Sequence, residues 1–416
     1  TGWMHGDIKG AFLSDTDTTN AVGGNLVTNG TFGSDSDWEK SGGWVISGGS
    51  ASMPSTSTYK PLYQYNLGMV AGKKYVATVN VSALSGSVKF GTANSTGGGI
   101  QNTELVITGT GAFSYTFIAE SDEDGIGMAR NTQPSSVTID NITVALAEED
   151  RSVNNNPLQV FGTVTKTPVA TGADLVAYHG INASNYLKQP YNSDLDFGTG
   201  DFSILVWVLK NTLSSNHYVM DRSSTPFSSS GRSYFIINTS GYHRFRLAGG
   251  NEVTGNVRAM QTGVYNQVGF VRRNGQMEFY LNGDLVQTVT GSNASASFNS
   301  GGSQQEMVID RYWNNFSQDY TFDRMALFRI SGSAPSAEQV KKMYEDEKFL
   351  FQENAKCTLH GSSDAATALA YDEVTDRLHV GTSAGRSDFQ GLRRINNTTT
   401  AVTTAISAHD EFIVEQ

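Results

Sequence analysis

Apolar and polar residues alternate with a period of two along much of this chain. Tyr75, Ala77, Val79 and Val81 alternate with Val76, Thr78, Asn80 and Ser82, and Phe113, Tyr115 and Phe117 alternate in a second run. Half-buried strands require this pattern. The turn Asp196-Phe197-Gly198-Thr199-Gly200-Asp201 feeds a more continuous apolar run from Phe202 to Val208, which reads as a buried strand with Trp207 in the core. From Val271 to Val286 two alternating strands are joined by Asn282-Gly283, a dipeptide that suits a type I′ hairpin because both residues tolerate positive φ. Helical spacing appears at Ala334–Tyr344, where Ser336 and Gln339 form a capping box and Val340, Met343 and Tyr344 share one face.

Composition agrees with many short strands. The 416 residues include 44 Gly and only 8 Pro, and the length suggests about two to four domains. All-β architecture is the expectation. A net charge of -11 argues against a nucleic-acid surface, which needs clustered Lys and Arg. No apolar run approaches the roughly 20 residues that cross a bilayer, so membrane insertion is not expected. The single Cys357 cannot form an internal disulfide. Thr1 is not an initiator Met and no signal peptide is visible, so the chain is expected to be a processed product or part of a longer protein.

The runs at 196–208 and 271–286, with Met307-Val308-Ile309-Asp310 and Phe322-Asp323-Arg324-Met325-Ala326-Leu327-Phe328-Arg329-Ile330, resemble the strands of the concanavalin A-like or laminin-G-like sandwich. Arg324 stands where that family has its second acidic residue. The resemblance places such a domain, with a short C-terminal helix, at about 172–350, and implies a glycan-binding or adhesion module. Asn25-Leu26-Val27-Thr28-Asn29-Gly30-Thr31-Phe32 and Val137-Thr138-Ile139-Asp140-Asn141-Ile142-Thr143-Val144 resemble carbohydrate-binding jelly rolls of galactose-binding-like topology, over about 24–148. That resemblance implies a structural calcium with Asp140 as a ligand. Gly33 stands where the family often has Glu, which removes a carboxylate from a hard-cation site.

A sugar site calls for flat rings that stack on pyranose faces. Trp38, Trp44, Tyr59, Tyr63 and Tyr65 fall in loops or strand edges of the first unit; Tyr312, Trp313, Phe316 and Tyr320 crowd one loop of the second, separated by polar residues. The ligand-binding candidates are Tyr312, Trp313, Phe316, Tyr320, Trp38, Trp44 and Tyr63. Catalytic patterns are thin. Gly381-Thr382-Ser383-Ala384-Gly385 fits G-x-S-x-G, but no helix follows it, and a hairpin turn is the better reading. The clusters Asp122-Glu123-Asp124, Glu148-Glu149-Asp150 and Glu345-Asp346-Glu347 read as solvated surface rather than as paired carboxylates across a cleft. The seven His lack metal-ligand spacing, and His179, His217 and His243 read as structural.

The remaining segments are a lead-in at 1–23, a linker at 149–171 and a β-rich piece at 351–416. Strands at Ala368–Asp372, Arg377–Thr382 and Gly391–Ile395 resemble part of a β-propeller blade, which cannot bury its own faces. The two ends resemble sequence of tailed-bacteriophage tail fibres and related virion appendages. That resemblance implies a non-enzymatic virion protein that binds host-surface glycan, contacts other virion proteins and assembles as a homo-oligomer, a trimer by preference. A secreted or cell-surface bacterial polysaccharide-binding protein is the alternative, and a glycan lyase or hydrolase on the same superfold the third reading. No cofactor is expected beyond the structural calcium.

Overall fold

The computed structural model describes residues 6–56, 59–94, 100–121, 124–132, 135–224, 231–248, 250, 252–299, 304–313, 320–363 and 365–416. Phe316, Trp3, Met4, Asp122 and Glu123 lie outside the described residues. Among the described residues the chain is all-β apart from the helix Ala337–Glu347 and short 3-10 turns, and two antiparallel sandwiches make up most of it.

In the first sandwich one sheet runs in the order Val45–Ser47, Ser50–Thr56, Ser135–Glu148, Lys74–Ser85 and Gly111–Ile118. The other runs Glu39–Lys40, Leu62–Tyr65, Gly125–Arg130, Val88–Ala93 and Ile100–Ile107. Val79, Val81, Phe90, Ile126, Ile139 and Ile142 fill the space between them.

The second sandwich pairs a sheet of Ile8–Phe12, Arg324–Ser331, Phe202–Leu209, Tyr265–Arg273, Gln276–Leu281 and Asp284–Val289 with a facing sheet. The facing sheet comprises Leu158–Pro168, Tyr186–Gln189, Gln305–Ile309, His217–Ser224, Ser233–Ile237, His243–Arg246 and Glu252–Thr254. Asn282 and Gly283 both have positive φ, 52° and 78°, as a type I′ hairpin requires. Asn274 and Gly275 make a second such turn, at 49° and 72°, one strand earlier.

Three expectations change. The lead-in is an integral edge strand, because Ile8–Phe12 pairs with Arg324–Ser331 and buries Phe12 and Leu13 in the second core. The supposed linker contains the strand Leu158–Pro168, which continues from the first sandwich into the second through the pair Ala147 and Gln159. The acidic clusters are only partly solvated. Glu148 is buried and accepts from the Tyr178 hydroxyl at 2.5 Å. Asp150 caps the backbone N–H groups of Ala11 and Ser152, both at 2.8 Å, and Glu347 is fully buried.

The tail forms a four-stranded antiparallel meander, Ala368–Asp372, Arg377–Thr382, Gly385–Gln390 and Arg393–Asn397, with the hairpin Ile406–His409/Phe412–Glu415 beside it. Ser383 and Ala384 form the two-residue turn between the second and third strands, so the G-x-S-x-G sequence is a hairpin.

His217 and His243 flank Ile237 in one row across three strands, pointing into the second core, while His179 lies on the separate strand Val176–His179. Burial holds the His243 imidazole at about 4 rather than 6.5. The unfolded chain therefore takes up a proton near pH 6.5 that the folded chain refuses until about pH 4. The stability contribution is complete above pH 6.5 and lost as pH falls through that window, by on the order of 3 kcal/mol. Denaturation titrations should show a shallower slope between pH 6.5 and 4 for His243→Phe than for the native chain. Equal slopes would mean that His243 is not the group that titrates.

Candidate functional site

A bulge shapes the outer face of the second sandwich. In the strand His217–Ser224 the register shifts between Tyr218 and Met220, so Val219 and Met220 both enter the core. Tyr218 and Asp221 thereby reach the opposite face, where Tyr234 and Ile236 of the neighbouring strand join Tyr218. Tyr312 stacks on Tyr218 at 5.0 Å between ring centroids, and Tyr320 stands edge-on to Tyr218 and Tyr312 at 6.0 and 5.7 Å.

A buried ion pair holds this cluster together. The Arg232 guanidinium lies 4.3 Å from the ring centroids of both Tyr234 and Tyr312 and 5.2 Å from that of Tyr218. Its Nε donates to Asp221 Oδ1 at 2.6 Å, and Asp221 Oδ2 accepts from the backbone N–H of Trp313 at 2.8 Å. Burial works against charge on Arg232, but the Asp221 carboxylate outweighs it and holds the guanidinium above its ordinary range. The Tyr234 hydroxyl donates to Glu252 Oε1 at 2.5 Å, and its phenol is pushed up mainly by burial.

The structure thus brings Tyr312 and Tyr320 together and sets Trp313 beside them, all three partly exposed. Among the described residues, Trp313 joins no ring pair. Tyr218, Tyr234, Arg232 and Asp221 escaped the sequence reading, because the bulge breaks the alternation that would assign Tyr218 and Asp221 to one face. Tyr312, Tyr320 and Trp313 are the accessible rings, and the buried Tyr218, Tyr234 and Arg232–Asp221 pair support them from beneath; accessible flat rings suit a ligand with an apolar pyranose face.

Trp38 and Trp44 require correction. They are only 7% and 4% exposed, with their indole N–H groups donating to the carbonyls of Asn29 at 3.1 Å and Lys60 at 2.9 Å. Their rings close the first core and have no face left to stack on a sugar. Tyr63 behaves differently. Leu62 and Gln64 turn inward, leaving Tyr63 and Tyr65 as a partly exposed pair 4.5 Å apart on the outer face, opposite Gly127 and Gly125.

The groups that contact Asp140 are neutral hydrogen-bond donors. Asp140 sits where the register of Ser135–Glu148 shifts, and its two oxygens accept from Asn80 Nδ2 at 3.2 Å and Ser82 Oγ at 3.0 Å. Near Gly33, the Asn29 amide donates to the carbonyls of Ser34 and Ser36 at 2.7 and 3.0 Å and accepts from Gly33 N–H at 2.9 Å. These contacts are all with neutral groups, and no second carboxylate is among them. Among the described residues, no three His, Cys, Asp or Glu side chains converge on a metal position.

Residues 182–341 match the concanavalin A-like lectin/glucanases superfamily, so the chain carries a domain of that kind. No curated protein matches the chain in sequence. Among solved structures, the chain is similar to domain 4 of an extracellular arabinanase from Geobacillus stearothermophilus in complex with arabinotriose. That likeness has 16% identity and a TM-score of 0.37, and covers 47% of this chain and 92% of the other. It is also similar to the CBM40 domain of a Ruminococcus gnavus sialidase bound to α2,6-sialyllactose, at 13% identity and a TM-score of 0.32, covering 40% and 97%. A third likeness is to a heptameric pentraxin from Limulus polyphemus, at 11% identity and a TM-score of 0.29, covering 38% and 80%.

Proposed function

We propose that this chain is a non-enzymatic glycan-binding component of a tailed-phage virion, an extracellular tail-fibre or appendage segment that works as a homotrimer. The observation that carries the binding role is the cluster of partly exposed Tyr312, Tyr320 and Trp313, seated on the buried Tyr218 and Arg232–Asp221 pair, on a concanavalin A-like domain. The non-enzymatic part is supported by three buried carboxylates that are already engaged, Glu148 by Tyr178, Asp221 by Arg232 and Glu347 by Arg329. Assembly is supported by apolar residues left on the tail, above all Leu369 at 63% exposure and Phe412 at 79%. Pairing between copies around a closed axis would cover them.

Glycan-array screening of the full chain, followed by titration of the hits, tests the binding role. Dissociation constants should fall at about 0.1–1 mM, since a shallow sugar site yields only about 4–5 kcal/mol. Trp313→Ala should weaken binding by about tenfold, equal to about 1.4 kcal/mol, without changing the melting temperature. Tyr312→Ala should weaken binding and also lower stability, because its ring supports Tyr218. Unchanged affinity in both variants would move the site elsewhere. Native mass spectrometry of the same sample tests the trimer, and a monomeric chain would remove that part of the reading.

A further inference from the structure

The two sandwiches enclose a cleft of about 510 Å³, within the range of about 300–1,000 Å³ typical of small-molecule sites. Its floor is the outer face of the first sandwich. Asn141 lies opposite Asn80, and Asn80 lies opposite Ala112, so the three side chains form one row across three strands. The facing wall belongs to the second sandwich and carries Lys188, Glu306 and Tyr191. Lys188 Nζ is 3.0 Å from Glu306 Oε1, and the Tyr191 hydroxyl donates to Asp196 Oδ2 at 2.9 Å, so the wall is held in place before any ligand arrives.

The spacing between floor and wall is also fixed. Gln304, from the second sandwich, accepts from the backbone N–H of Ala112 through Oε1 and donates to its carbonyl through Nε2 at 3.3 Å. This side chain acts as a one-residue strand on the exposed edge of Gly111–Ile118.

The floor offers unused hydrogen-bonding capacity. Asn80 donates to Asp140, which orients its amide, and among the described residues its Oδ1 accepts no hydrogen bond. Asp140, placed by its sequence position among calcium ligands, here positions an amide. Among the described residues the Asn141 side-chain amide has no hydrogen-bond partner, although it is partly buried. One oriented amide and one unpaired amide, facing a fixed ion pair and a tyrosine ring, match alternating hydroxyl donors and acceptors on a sugar chain. Because the Lys188 charge is matched by Glu306 and Asp140 lies behind Asn80, the cleft holds no surplus positive charge for an acidic sugar.

We propose that this cleft is a second ligand site, distinct from the aromatic surface, for a short segment of uncharged oligosaccharide. Its occupant would bridge the two sandwiches, so binding there also stiffens the joint between them.

The test uses the full chain and a panel of neutral trisaccharides of gluco, galacto and arabino configuration, with sialyllactose as the acidic comparison. Calorimetric titration should detect at least one neutral trisaccharide whose binding survives Trp313→Ala. That binding should weaken by about tenfold or more in Asn80→Ala/Asn141→Ala, as expected for the loss of about two hydrogen bonds. Hydrogen exchange of the unmodified chain gives a reading that does not depend on a variant's folding. Protection of residues 111–118 and 304–309 by the trisaccharide supports the cleft; protection confined to residues 232–236 and 312–320 overturns it. Tighter binding of sialyllactose than of any neutral trisaccharide at the cleft, or full affinity in the double variant, would also overturn the proposal. Failure of Trp313→Ala to change any binding bears on the aromatic surface alone.

Discussion

Glu347→Ala should destabilise the chain by about 3–5 kcal/mol, the cost of leaving a buried partner charge without its counterion. Glu347 ends the helix Ala337–Glu347 and is fully buried beneath the second sandwich. Both terminal nitrogens of Arg329 donate to its carboxylate, one of them to Oε2 at 2.9 Å, while Arg329 itself is only 4% exposed. Trp207 adds its indole N–H to Oε2 at 2.7 Å. Its ring is stacked between Tyr344 at 5.4 Å and Phe351 at 4.3 Å, so the carboxylate also fixes the plane on which the helix end packs. Alanine would strand the guanidinium and the indole donor together. Arg329→Met/Glu347→Leu removes both charges and should recover most of the loss, since a matched buried pair is worth little against apolar residues of similar size. Chemical denaturation of the two variants decides the matter. A loss below about 1 kcal/mol in Glu347→Ala would mean that the helix is held by its apolar face alone.

Turn chemistry and capping were readable because they depend on residues close in sequence. Asn282-Gly283 has the positive φ angles that its identity favours, and Ser336 and Gln339 exchange the two hydrogen bonds of a capping box. The strand Leu158–Pro168 was hidden because Gly162, at φ 64°, interrupts its alternation, and buried Gln159 and Lys166 look like linker residues until their partners are known. Those partners, Val76 and Thr143 for Gln159 and Asp15 for Lys166, are distant in sequence. Trp38 and Trp44 misled for a related reason. Glycine and serine around them suggest open loops, yet each indole is buried in the first core while its N–H finds a carbonyl. The proposed ligand surface was half visible. Its loop aromatics stood out, but the sheet residues beneath them are assigned to the outer face only by a bulge.

Asp221→Ala should produce a loss of similar size, about 3–5 kcal/mol, and should also abolish glycan binding at the aromatic surface. Asp221 is fully buried and Arg232 nearly so, at 0% and 6% exposure. With the carboxylate gone, the guanidinium keeps its contacts with Tyr218, Tyr234 and Tyr312, but cation–π attraction of about 2 kcal/mol at best cannot replace a buried counterion. The Trp313 backbone N–H loses its acceptor at the same time, which releases the residue whose ring is proposed to meet the sugar. Asp221→Asn separates the two effects. It can still accept one hydrogen bond from Arg232 or from Trp313, so it should lose less stability than alanine. Its affinity should nonetheless fall, because one amide oxygen cannot anchor the arginine and the loop together. Denaturation and glycan titration of both variants would check this. If Asp221→Ala bound glycan with native affinity while losing stability, the Asp221–Arg232 pair would be only a structural ion pair, and the aromatic surface above it would not be the binding site.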